Sequence, residues 1–128
     1  MPAGIFYIMK LEDLEIYILA REISNNSWEV YKNFDWQIKK VCGDQFIEAI
    51  DSVGANIAEG WGRYHFLDRN KFNYNARGSL LESLHWLSLL AYRNLISAEQ
   101  NSSLKQQLET LHLKLNNYIN STKDQIRK

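Results

Sequence analysis

Apolar side chains recur at steps of three and four residues along most of the chain, a spacing that gathers them on one side of an α-helix. In the first such segment, about 13–34, the stripe is Ile16, Ala20, Ile23, Ser27, Val30 and Phe34, and Asp13 stands where an N-cap belongs. Its Ser24-Asn25-Asn26-Ser27 stretch has weak helix propensity, so packing against other segments has to hold it. A second segment, about 36–60, carries Ile38, Cys42, Phe46, Ala49, Ile50, Val53 and Ile57. Gly60 and Gly62 close it, since glycine leaves a helix through the left-handed conformation without penalty. After a loop over 61–67, Asp68 is placed to cap a third helix, about 68–93, with the stripe Phe72, Ala76, Leu80, Leu84, Leu87 and Ala91. Ser97 and Gln100 have the spacing of a capping box at the start of a fourth helix, about 98–124. Its stripe is Leu104, Leu108, Leu111, Leu115, Tyr118 and Thr122.

Four long helices with short connections favour antiparallel neighbours, so the expected fold is all-α: an antiparallel up-down four-helix bundle. The expected domain is 13–128, with 1–12 as an N-terminal extension. Further apolar residues fall off the stripes: Tyr17 and Trp28 on the first helix, Ile47 and Ala58 on the second, Trp86 and Leu89 on the third. Together they predict a second buried surface, hence self-association into a homo-oligomer.

Composition narrows the functional classes. The 128 residues fit one domain, and 45% hydrophobic with 23% charged residues is the balance of a soluble globular chain. Lys plus Arg and Asp plus Glu are equal at 15 each, so the positive excess of a free-standing nucleic-acid binder is missing. RNA contact would then rest on a local patch or a basic partner. The single cysteine, Cys42, forms no internal disulfide and reads as a small buried hydrophobe, which fits a reducing cytoplasm. Met1 to Met9 is apolar but lacks the basic region and cleavage site of a signal peptide, and no run is long enough to span a membrane. These features predict a cytoplasmic protein.

Two groups of residues stand out as candidate sites. Arg63, Tyr64, His65, Arg69, Lys71 and Arg77 set four cations against one acid, Asp68, with aromatics between them. Cations meet phosphates and exposed aromatics stack on unpaired bases, so this is the candidate contact with RNA or another partner. The plainer expectation is a solvated loop whose aromatics fold inward. The second group is polar: Asn56, Glu59 and Arg63 near the end of the second helix, with Ser79 and Glu82 on the third. Flanked by the small residues Ala55, Ala58 and Gly60, it is expected to fix helix pairing or subunit register.

Glu82-x-x-His85 and Glu109-x-x-His112 have the spacing of di-iron bundles, but a helical wheel turns Glu82, His85 and Glu109 away from the leucine stripes. No metal site is expected from them. Cys42, His65 and the hydroxyls form no nucleophile–base pattern, and Gly60-x-Gly62 is no phosphate loop. The reading is no enzyme, no cofactor and no small-molecule substrate.

The run Ala55-Asn56-Ile57-Ala58-Glu59-Gly60-Trp61-Gly62-Arg63 resembles the signature of the four helix bundle protein family, which includes the proteins encoded in intervening sequences of bacterial 23S rRNA genes. Leu14-Glu15-Ile16-Tyr17, Ala20-Arg21 and Gly78-Ser79-Leu80-Leu81-Glu82 resemble its first and third helices, and the resemblance covers roughly residues 9–96. A more distant similarity links it to accessory proteins of diversity-generating retroelements. The resemblance implies a four-helix bundle assembled as a homopentamer, and an association with ribosomal RNA or a ribonucleoprotein. It also implies translation starting at Met9, leaving 1–8 as an extension disordered or packed on a neighbouring subunit. Where many members carry paired arginines in helix two, this chain has Ile47-Glu48, and where many have proline it has Gly54. Three functions follow: an RNA-associated homo-oligomeric scaffold, a protein-binding adaptor without nucleic-acid contact, and, least supported, a di-metal oxidase. Internally paired charges over 63–77 would favour the adaptor.

Overall fold

The computed structural model describes residues 9–127; residues 1–8, the larger part of the expected extension, and Lys128 lie outside the described residues. A 3-10 turn, Leu11–Asp13, leads into α1, Glu15–Tyr31. Helix α2 is a continuous rod over 36–61, made of an α turn Trp36–Ile38, a π-helical stretch Lys39–Gly43 and a regular helix Asp44–Trp61. Helices α3, Phe66–Tyr92, and α4, Ala98–Arg127, complete the fold. Each helix packs on two neighbours: α1 on α2 and α4, and α3 on α2 and α4. This is an all-α, up-down four-helix bundle. Its core is filled by Phe46, Ile50, Ile57, Leu80, Leu87, Leu108, Leu111 and Leu115, each withdrawn from solvent.

The helix ends differ from expectation where a backbone contact outcompetes the residue type. Asp13 does not cap α1; Leu14 holds that position, and the Asp13 carboxylate accepts from the Lys10 backbone N–H at 3.0 Å. Helix α3 begins at Phe66, so Asp68 sits inside the first turn, where its charge faces the helix dipole favourably. Gly60 and Gly62 do not use the left-handed conformation, and no described glycine has positive φ. Gly60 is helical and buried against α3: a Cβ there would lie 3.0 Å from the Arg69 carbonyl oxygen and 3.1 Å from Phe72 Cβ. The left-handed residue is Asn94, with φ 58°, which ends α3. The N–H groups of Asn94 and Leu95 donate to the carbonyls of Ala91 and Leu90 at 3.0 and 2.9 Å, the paired bonds of a Schellman stop. At the start of α4 the Ser97 N–H donates to Gln100 Oε1 at 2.8 Å and the Gln100 N–H to Ser97 Oγ at 3.0 Å, the reciprocal box read from the spacing.

The π stretch is held from outside. Asp35 Oδ1 caps the preceding turn by accepting from the Ile38 N–H at 2.9 Å. A Cβ on Gly43 would stand 3.0 Å from Phe34 Cδ2, so the Phe34 ring lies directly on the helix backbone there. The Tyr31 hydroxyl donates to the Asp44 carboxylate, tying the end of α1 to the residue after the π stretch. That bond, with burial and the negative charges of Asp44 and Glu48, raises the Tyr31 pKa above the usual phenol value.

Helix α3 turns a different side to the core than its apolar pattern indicates. Asn70, Asn73 and Ser83 are buried with Ala76, Leu80, Leu87 and Leu90, while Phe72, Leu84 and Ala91 are half-buried. Ile47, expected on the outer surface, is buried within this single chain, and Ala58, Tyr17, Trp86 and Leu89 are half-buried. Trp28 does face outward, 51% exposed.

Candidate functional site

The sequence-singled cations cluster where α2 hands over to α3, because Gly60 lets the two backbones close up before the turn. Arg63 reaches back one helical turn to Glu59, Nη2 to Oε1 at 2.9 Å, and lies over the Phe72 ring at 4.7 Å. Arg69 turns inward: its Nε donates to the Arg63 carbonyl at 2.8 Å, and its guanidinium is 5.1 Å from the Trp61 ring centre and 5.3 Å from that of Phe66. Arg69 also acts on Tyr118 of α4. Burial raises the Tyr118 pKa, and the arginine's charge and hydrogen bond offset part of that rise. Arg77 donates from Nη1 to Asn116 Oδ1 on α4 at 3.0 Å and covers the Tyr74 ring at 5.1 Å. Lys71 makes a loose pair with Asp68 at 3.8 Å. Tyr64, 89% exposed, stands edge-on to His65, which is itself exposed. Arg69 and Arg77 therefore stitch the bundle, while Arg63, Tyr64, His65 and Lys71 remain at the surface.

Beyond the Arg63–Glu59 pair within the polar group of α2 and α3, no direct bond joins its α2 members to Ser79 or Glu82 among the described residues. Asn56 Nδ2 donates to the Ser52 carbonyl on its own helix at 2.9 Å. The Ser79 carbonyl accepts from Ser83 Oγ at 2.8 Å, and Glu82 accepts from Trp86 Nε1 at 3.4 Å. Helix register accounts for this: Gly60 lies against Arg69 and Phe72, so Ser79 and Glu82 pass α2 more than a turn above Asn56 and Glu59. Among the described residues, Arg63 is the member of this group that crosses to α3, through its stacking on Phe72. His85 is exposed, as are Glu82 and Glu109. Among the described residues no three His, Cys, Asp or Glu side chains come together as a metal site would require.

Two features were not singled out in the sequence. One is a buried amide ladder between α3 and α4. Asn73 Nδ2 donates to Asn70 Oδ1 at 2.9 Å, and Asn70 Nδ2 donates to the Ile119 carbonyl at 3.1 Å. The asparagines give no apolar signal, although their three-residue spacing on a helix hints at a pair. The other is an open groove of about 370 Å³ between α1 and α2, lined by Tyr17, Arg21, Trp28, Asp51, Gly54 and Ala58. Arg21 Nη1 donates to the Tyr17 hydroxyl at 2.9 Å on its wall. Tyr17, Trp28 and Ala58 are among the off-stripe residues expected to form a second surface, and the fold brings these three together in one groove.

The fold and these surfaces define an antiparallel four-helix-bundle protein with exposed apolar residues on its flanks and a basic-aromatic cluster at one end. Residues 12–117 match the family described as 23S rRNA-intervening sequence protein, and the chain belongs to that family. A crystal structure of a protein of unknown function from the S23 ribosomal protein family of Bacteroides thetaiotaomicron VPI-5482 has the same fold. Its TM-score is 0.76 at 24% identity, and the match covers 81% of this chain and 97% of that one. No protein among the curated ones matches significantly. No helix of the described residues is long and apolar enough to cross a membrane.

Proposed function

We propose that the protein is a non-enzymatic, cytoplasmic scaffold that assembles into a homo-oligomer, a pentamer by family resemblance, and associates with RNA or a ribonucleoprotein. The observation that carries this reading is the surface left apolar after the core is complete. Trp28 flanks the α1–α2 groove, and Ile18, Leu81 and Leu113 are exposed on α1, α3 and α4. They lie on separate helices, and a head-to-tail ring needs two different contact faces on each copy. Membership of a family named for an rRNA intervening sequence supports the RNA half. In this reading Arg63 and Lys71 exchange their exposed partners for phosphate at little cost, since such surface pairs contribute about 0–1 kcal/mol. Tyr64 or His65 stacks on an unpaired base, and Arg69 and Arg77 hold the platform. The bundle domain 13–128 carries the function.

Light scattering on the purified protein should give a mass several times the 15.0 kDa of one chain. Binding of structured RNA should weaken steeply between low and moderate salt. A 15.0 kDa particle at high concentration would remove the assembly half, and salt-insensitive or absent binding the RNA half.

A second reading, a protein-binding adaptor that never touches nucleic acid, is favoured by the internal commitments of Arg69 and Arg77. Partners that stay bound in a pull-down after nuclease treatment would select it.

A further inference from the structure

Two cations without an acid partner among the described residues, Lys40 and Arg93, lie at the end of the bundle opposite the α2–α3 turn. There the start of α2 meets the turn between α3 and α4. Trp36, the first residue of α2, is 73% exposed, and Lys40 Nζ lies 5.0 Å from its ring centre. Beside it, Gln37, Ile38, Val41, Cys42, Arg93 and Leu95 line an open pocket of about 250 Å³ with mostly apolar walls. Arg93 is exposed and, among the described residues, its side chain has no ion pair or hydrogen bond; Lys40 likewise has no acid partner. Tyr92, next to Arg93, is 87% exposed. The nearby acids are committed elsewhere: Asp35 caps α2, Asp44 accepts from Tyr31, and Glu29 pairs with Lys32. Glu99, in the first turn of α4, does not line the pocket. The π stretch Lys39–Gly43 supplies Val41 and Cys42 to this pocket, and π turns inside helices frequently mark functional sites.

We propose that this end binds single-stranded RNA. Lys40 and Arg93 meet successive phosphates, Trp36 stacks on a base, and a neighbouring base enters the pocket against Val41 and Leu95 with Gln37 at its edge. The pocket is smaller than the roughly 300–1,000 Å³ of sites for drug-sized molecules, which suits one planar group. Unpaired cations flanking an exposed ring are the combination that single-stranded nucleic acid uses, backbone on charge and bases on aromatic faces. The inference rests on the RNA reading above and adds a second contact at the other end of the molecule.

The test uses the full chain and fluorescein-labelled oligouridylate, read by anisotropy over a salt series. One variant combines Trp36→Ala, Lys40→Gln and Arg93→Gln; another combines Arg63→Gln and Lys71→Gln. All three substituted side chains of the first variant are exposed, and circular dichroism with light scattering verifies fold and mass. The first variant should bind at least ~10-fold more weakly, because loss of stacking alone accounts for about that factor. Its log–log salt slope should shrink by roughly 1.4, two phosphates at about 0.7 each on a single strand. If it binds as wild type does while the Arg63/Lys71 variant loses affinity, the proposed site is wrong and the RNA reading stands. If wild type does not bind at low salt, the RNA reading itself fails. If a fluorescein-labelled Phe-containing, Glu-rich peptide binds wild type and not the triple variant, while oligouridylate binding is unchanged, the pocket belongs to a protein partner. A changed mass in the triple variant would assign it to self-association.

Discussion

Replacing Gly60 by alanine puts a methyl carbon into tighter contact with α3 than side chains normally make. Its nearest neighbours are the Arg69 carbonyl oxygen at 3.0 Å and Phe72 Cβ at 3.1 Å, with Asn73 Oδ1 at 3.6 Å. The first is backbone and the second is the root of a side chain, so neither moves without moving α3. Alanine improves helix propensity by about 0.8–1.0 kcal/mol over glycine, while overpacking typically costs about 1–3 kcal/mol. Because the backbone of α3 itself has to give by a few tenths of an ångström, the upper part of that range applies, and the net expectation is destabilisation by about 1–2 kcal/mol. Two other helical glycines provide controls within the same protein. A Cβ on Gly78 meets nothing within 4 Å, so Gly78→Ala should stabilise by nearly the full propensity term, about 0.5–1 kcal/mol. A Cβ on Gly54 would sit 3.5 Å from Ala20 Cβ, an ordinary contact, so Gly54→Ala should be neutral or mildly stabilising. Urea unfolding followed by circular dichroism measures all three at one fixed protein concentration, since assembly adds to apparent stability. The corresponding Tm change is about 3–5 °C per kcal/mol for a chain this size. Equal or greater stability of Gly60→Ala relative to wild type would refute the close-approach argument, as would identical shifts at Gly60 and Gly78.

Three further outcomes are expected. Asn73→Ala removes the donor to Asn70 and leaves a buried amide oxygen short of a partner, so its urea midpoint should fall by the equivalent of about 1–3 kcal/mol. Ser27 Oγ is buried with no hydrogen-bond partner, so Ser27→Ala should hold or raise stability by up to about 1 kcal/mol; a loss above that would show a bonded hydroxyl. Tyr31 and Tyr118 both have raised pKa values in the fold relative to the ordinary 10.0. Their contribution is therefore complete below pH 10 and lost as pH climbs through the folded values, because the unfolded chain ionises first. Unfolding midpoints measured from pH 8 to 11.5 should decline above about pH 10, less steeply in Tyr31→Phe; an equally steep decline in that variant would discount the Asp44 bond.

The sequence made α1 legible because its inward positions, from Ile16 to Phe34, keep an unbroken three-and-four rhythm against a polar remainder. Phe46, Ile50 and Leu108 to Leu115 were readable for the same reason. Helix α3 was not, because its core side includes Asn70, Asn73 and Ser83 while Leu81 and Tyr92 face out; a pattern weighted by hydrophobicity alone then rotates the helix toward Leu84. Gly60 was seen, but as a terminator: its role depends on α3 lying against it, a nonlocal fact. At the candidate site, Arg63 to Glu59 could be read from their spacing, whereas the roles of Arg69 and Arg77 depend on Tyr118 and Asn116, about forty to fifty residues away. The pocket beside Trp36 joins residues from two different turns, and no single window of sequence contains both.

The π stretch ahead of Asp44 has a mechanical consequence. A π turn accommodates one residue more than the α-helix around it would, so it acts as a slack link in an otherwise stiff rod. Deleting one residue there lets the backbone relax into ordinary α-helix, with Phe46 and everything after it keeping their seats. The same deletion near Val53 would swing half the rod through about 100° and empty the core of its side chains. The beginning of α2 is thus the place where chain length can be edited without derailing the bundle.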